Sequence, residues 1–143
     1  MLNSVEIAAK NFCIHQMGME CHYVDTNTKK RTFIAYIDVS LKDKKLYRIY
    51  IAANESFIQA VATLFLEEEK SDKETLQDMA LETANLIIGS AKVIAEDSDK
   101  PYEIGTPYFH NIDVFDLAYD EIKILANKEN ELILAIKELD VTE

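Results

Sequence analysis

Asp78, Glu82, Asn85 and Gly89, near the middle of the chain, have residue types and a spacing that could do chemistry. On a helix at about 100° per residue, Glu82 lies about 40° from Asp78, Asn85 about −20° and Gly89 about 20°. Lys92, at about −40°, extends the same narrow stripe. A carboxylate and a carboxamide three residues apart present their head groups side by side. The carboxylate can pair with a cation. The amide oxygen can accept from a water molecule while its NH₂ group donates elsewhere. An ordinary solvated helix face has the same polarity, and spacing alone leaves that alternative open. Two details weigh against it. Asn and Gly both disfavour a helix interior, Gly by about 1 kcal/mol relative to Ala. A missing side chain at Gly89 also leaves room for another surface to approach.

The stripe needs a helix to carry it. Ser71-Asp72-Lys73-Glu74 has the Ser-x-x-Glu form of a capping box and opens a helical stretch reaching about residue 97. Leu76, Met79, Ala80, Thr83, Ala84, Ile87, Ala91 and Ile94 share its other, apolar face. The small residues there let the helix lie close to its neighbours, so this face is structural.

The remaining elements follow from periodicity and punctuation. Residues 4–17 form an amphipathic helix through Val5, Ala8, Ala9, Phe12 and Met17, with Gly18 as its stop. Residues 32–40 alternate: Phe33, Ala35, Ile37 and Val39 on one face, Ile34, Tyr36, Asp38 and Ser40 on the other. With the turn Lys42-Asp43-Lys44-Lys45 and residues 46–53, this predicts an antiparallel hairpin. Asn54 is placed to cap a helix over 55–67, and Glu67-Glu68-Glu69-Lys70 reads as its solvated end. Pro101, Gly105 and Pro107 exclude a helix, so 102–112 is expected as one strand with irregular ends. Residues 113–119 are ambiguous. Ile122, Ile124 and Ala126, the turn Asn127-Lys128-Glu129-Asn130 and the run ELILAIKEL predict a second hairpin, although ELILAIKEL alone is also compatible with a helix. The order gives an α+β fold with helices against a sheet.

Composition bounds the function. The 143 residues suit one domain over 1–143, and 48% apolar against 29% charged residues is a globular balance. No apolar run approaches a membrane span, and Met1-Leu2-Asn3-Ser4-Val5-Glu6 lacks the features of an export signal, so a cytoplasmic protein is expected. A formal net charge of −11 disfavours nucleic acid and anionic membranes as partners. Cys13, His15, Cys21 and His22 invite a zinc reading. A helix over 4–17 would set Cys13 and His15 about 200° apart, so the expectation is free thiols and ordinary packing or surface residues, with no metal. His110 is read in the same way.

Asp78-x-x-x-Glu82-x-x-Asn85-x-x-x-Gly89, with Pro107 at the start of a strand 22 positions after Asn85, resembles the signature of the CheC/CheX/FliY chemotaxis phosphatases. The surrounding ETANLIIGSAK and IGTPYFHN are similar to the family's helix and following strand. CheC and FliY carry two such helices. Here only one Glu-x-x-Asn stands in an equivalent setting, and residues 4–20 lack it, which points to the CheX type. The resemblance implies a CheC-like, largely antiparallel sheet with a long central helix carrying the site, one site per chain and a homodimer.

It further implies a substrate: the aspartyl phosphate of a phosphorylated CheY-like response regulator. Such an acyl phosphate needs a water held in line with the P–O bond, and positioning makes the attack effectively unimolecular. Asn85 takes that role, as the water-orienting Gln does in GTPases. Glu82 anchors the complex on a lysine near the phosphorylation site; without burial a carboxylate would be a weak general base. Asp78, Gly89 and Pro107 contribute to docking. Magnesium would belong to the regulator, with no cofactor in this chain. Two other readings stand beside this one: a non-catalytic binding module for a response regulator or flagellar switch component, and a structural dimerisation domain.

Overall fold

The computed structural model describes residues 2–42 and 44–139. Met1, Asp43 of the first expected turn, and residues 140–143 lie outside the described residues. The element order is α1 (Leu2–Asn11), a π-helical turn (Phe12–Gln16), β1 (His22–Val24), β2 (Arg31–Leu41), β3 (Leu46–Asn54), α2 (Glu55–Leu66), α3 (Lys73–Asp97), β4 (Tyr102–Ile104), β5 (Tyr108–Val114), β6 (Glu121–Asn127) and β7 (Asn130–Leu139). The strands form one antiparallel sheet in the order β1-β6-β7-β3-β2-β4, with β5 also on β2. This is the expected α+β architecture.

Alternation decides what each face of the sheet does. Phe33, Ala35, Ile37 and Val39 of β2, with Leu132, Leu134 and Ile136 of β7, enter the main core beneath the three helices. Ile34, Ala52, Ile133 and Ala135 point to the opposite face, where Phe115 covers them. β7 is therefore buried on both faces. That is why ELILAIKEL carries no clean period of two and reads equally as helix. Both expected hairpins form, with Ser40 opposite Leu46 and Asn127 opposite Asn130.

Several expectations are corrected. The N-terminal helix is α-helical only to Asn11 and continues as a π turn before Gly18 takes a φ of +65°, which suits a residue without Cβ. The short strand β1 was not expected: its three residues offer no alternation to read. The expected strand 102–112 is two strands. The Gly105 N–H is drawn to Asp38 O at 2.8 Å, and Pro107, with no N–H, interrupts the ladder. A Cβ at Gly105 would meet Asp38 O at 3.2 Å, so the close approach favours glycine. The ambiguous stretch begins as the end of β5 and then leaves the ladder, burying Phe115. Between Ile34 and Ala35 the β2–β5 register shifts by one residue, making His110 the bulged residue, edge-on to Tyr36.

Asn54 stands at the start of α2 with extended backbone but makes no side-chain cap. Its side chain instead donates to Glu129 O and accepts from Glu131 N, fastening α2 to the β6–β7 turn.

Candidate functional site

The site is the outward stripe of α3. The helix starts one residue later than the capping box implies. Asp72, not Ser71, is the cap, and its carboxylate accepts from Thr75 N at 2.8 Å. Ser71 is diverted: its N–H donates to Gln59 Oε1 at 2.9 Å, and its hydroxyl lies 3.1 Å from Glu68 Oε1. The Thr75 hydrogen bonds hold the Asp72 carboxyl below the ordinary carboxylate range.

Leu76, Met79, Ala80, Thr83, Ala84, Ile87, Ile88, Ala91 and Ala95 are buried on the inner side of α3. Alanine at 80, 84, 91 and 95 brings the helix axis close to α1, α2 and β2. Thr83, the polar member, donates its hydroxyl to Met79 O at 2.7 Å, so no unpaired donor is left in the core. Ile94, expected on this face, is half-buried.

Asp78, Glu82 and Asn85 are exposed on the outer side. None of their side chains makes a hydrogen bond or ion pair among the described residues. Thr83 and Ala84, between Glu82 and Asn85, are both fully buried, so the backbone under the pair is held down. A Cβ at Gly89 would find nothing within 4 Å, which leaves open space one turn beyond Asn85. The helix thus displays a carboxylate, an amide and a gap on a convex surface, all available to a second molecule.

The stripe has two unlike flanks. Lys92, at the end of the stripe, reaches across to Glu103 on β4 at 3.7 Å. Glu103 is 85% exposed there, so this is a weak surface pair. The other flank is apolar: Leu86 and Val93 are 38% and 58% exposed. They follow Asn85 and Lys92 directly in sequence and, at about 80° and 60° from Asp78, fall outside the apolar face that helical spacing defines. Pro107 sits on a different element, in the gap between β4 and β5.

Among the described residues, no three His, Cys, Asp or Glu side chains are placed to share a metal ion. Cys13 and Cys21 are free thiols, Cys13 buried and Cys21 half-buried. Burial, with Cys21 beside it, pushes the Cys13 thiol well above its ordinary range. His15 and His22 are exposed.

Residues 38–125, which include all of α3, match the family model of the chemotaxis phosphatase CheX. The chain belongs to the CheX family. Solved structures agree on the fold. Chemotaxis protein CheX from Vibrio vulnificus is 16% identical with a TM-score of 0.79, covering 94% of this chain and 95% of that one. A CheC-like superfamily protein from Shewanella sp. PV-4 is 16% identical with a TM-score of 0.74, covering 97% of each chain. The CheX–CheY–BeF₃–Mg²⁺ complex from Borrelia burgdorferi matches at 17% identity and a TM-score of 0.67, covering 96% of this chain and 97% of that one. The fold is therefore CheC-like, with the long central helix the resemblance implied. No curated protein sequence matches the chain.

Proposed function

We propose that this protein, as a single domain over residues 1–143, hydrolyses the aspartyl phosphate of a CheY-like response regulator by inserting Glu82 and Asn85 of α3 into the regulator's active site. One observation carries the reading. Within the part of the chain that matches the CheX family, an exposed carboxylate and amide stand side by side, unpartnered, with open space at Gly89.

Each part has a physical role. Asn85 accepts a hydrogen bond from the attacking water and holds it in line with the P–O bond, an entropic contribution that needs no titrating group. Glu82 pairs with a lysine beside the phosphorylated aspartate and fixes the register of the complex. Its exposure argues against service as a base. Asp78 adds a second carboxylate one turn earlier, and Pro107 shapes the β4–β5 loop for docking. Divalent magnesium belongs to the regulator. The Borrelia burgdorferi complex combines CheX and CheY with BeF₃, a stand-in for a phosphoryl group, and Mg²⁺, which supports this division of labour. The protein would act in the cytoplasm as a homodimer.

The test is phosphate release from a CheY-like regulator charged with acetyl phosphate and magnesium. Wild type should accelerate release; Asn85→Ala should abolish the acceleration while retaining much of the binding, and Glu82→Ala should weaken both. Wild-type turnover by Asn85→Ala would overturn the mechanism. Binding without any acceleration by the wild type would make the protein a docking module.

A further inference from the structure

The apolar flank of the stripe runs into a groove. Around α3, Val93 lies at about 60° and Leu86 at about 80° from Asp78, with Ser90 further round at about 120°. Leu86 and Ser90 then form one wall of a groove whose other wall is α1 and its π turn, through Ala8, Asn11, Phe12 and His15. The surface is continuous: amide and carboxylate, then two exposed aliphatic side chains, then a depression at the α1–α3 seam. The groove holds about 270 Å³, which is room for an apolar side chain from another protein.

Charge narrows the occupant. Along the outer stripe Glu74, Asp78, Glu82 and Glu96 are exposed, while the stripe's own lysine, Lys92, is paired with Glu103. An acidic ridge beside an apolar patch is complementary to a surface with an apolar centre and basic rim, and it would steer such a surface on approach. An exposed apolar patch next to a polar ridge is also a common mark of a protein-binding surface.

We infer that Leu86 and Val93, with the α1–α3 groove, are the docking and specificity surface for the phosphorylated regulator, receiving an apolar side chain of a basic-rimmed face. This rests on the function proposed above. A partner that presents a phosphate to Asn85 meets Leu86 beside it, and one that follows the stripe about 12 Å further along α3 meets Val93. The gap at Gly89 lets the two backbones approach, and desolvation of the aliphatic pair supplies affinity that the exposed charges cannot.

The test measures the affinity of the intact protein for a CheY-like regulator activated with BeF₃ and Mg²⁺, which needs no turnover. Val93→Asp and Leu86→Asp should each weaken binding at least about tenfold, a loss of about 1.4 kcal/mol. Val93→Ile should retain it. Leu64→Asp, at an exposed aliphatic position on α2, should leave it unchanged. Leu86 lines the groove, so Val93→Asp, which takes nothing from the core, guards against misfolding. Wild-type affinity in Val93→Asp overturns the inference. Equal losses in Val93→Asp and Leu64→Asp also overturn it, as does conversion of a dimer to a monomer by Val93→Asp, which would make the seam a contact between copies. Failure of the catalytic reading would appear separately, as undiminished phosphate release by Asn85→Ala.

Discussion

The two faces of α3 are made from the same 25 residues and solve opposite problems. On the inner face, alanines and branched aliphatics close the gap to α1, α2 and β2, and Thr83 answers its own hydroxyl within the helix. Its contribution comes from area removed from water. On the outer face Asp78, Glu82 and Asn85 have no side-chain partner among the described residues, Gly89 has no side chain, and Lys92 makes only a weak surface pair with Glu103. The contrast separates stability from the proposed function within a single turn: Thr83 and Ala84 are fully buried, while Glu82 and Asn85 on either side of them are exposed.

Substitutions can break that separation or sharpen it. The largest effect is expected inside. Ile87→Ala should cost about 2–5 kcal/mol of stability, read by denaturant unfolding. Any surviving folded protein should bind a regulator normally, and a selective loss of binding would blur the two faces. Next, Asn85→Ala should leave unfolding within about 0.5 kcal/mol of wild type. It should lower the protein's acceleration of regulator dephosphorylation by at least about 100-fold, the scale on which lost positioning acts, leaving only the regulator's own rate. A melting shift as large as that of Ile87→Ala would place Asn85 in the fold rather than the chemistry. Gly89→Ala should move the two quantities apart: up to about 1 kcal/mol more stable, because the position is helical with free space, yet weaker on the regulator because the gap is filled.

The smallest effect is at the helix start. The carboxyl of Asp72 is held below its ordinary range by the Thr75 hydrogen bonds, so its folded pKa lies under its unfolded one. The cap is fully effective above the unfolded value and is lost as pH falls through the folded value, below about pH 4. Amide exchange at Thr75, corrected for the intrinsic rate, should quicken over that range in wild type and not in Asp72→Ala.

The stripe, the inner face and both hairpins were legible in the sequence because each writes a period. Glu82, Asn85 and Gly89 could be placed together from helical spacing before any coordinates. The missed features lack a period or depend on residues distant in the chain. β1 is three residues long. The break at Gly105 depends on Asp38 O, and the choice of Asp72 over Ser71 as cap depends on Gln59 claiming the Ser71 amide. Asn54 looked like a helix cap because its type and place fit, but the β6–β7 turn competes for the same amide and wins. Helical spacing already sets Leu86 and Val93 off the apolar face; what the packing adds is that no other element covers them.

The length of α3 has a consequence for motion. At about 1.5 Å per residue the helix is a rod of about 37 Å, with Glu82 and Asn85 more than two turns from either end. Fraying consumes terminal turns at little free-energy cost, whereas opening a central turn over Thr83 and Ala84 requires the core beneath to separate. The amides of residues 83–85 should therefore exchange only by near-global unfolding. The side-chain head groups above them remain free to rotate on the picosecond-to-nanosecond scale, a mobile pair on an immobile base.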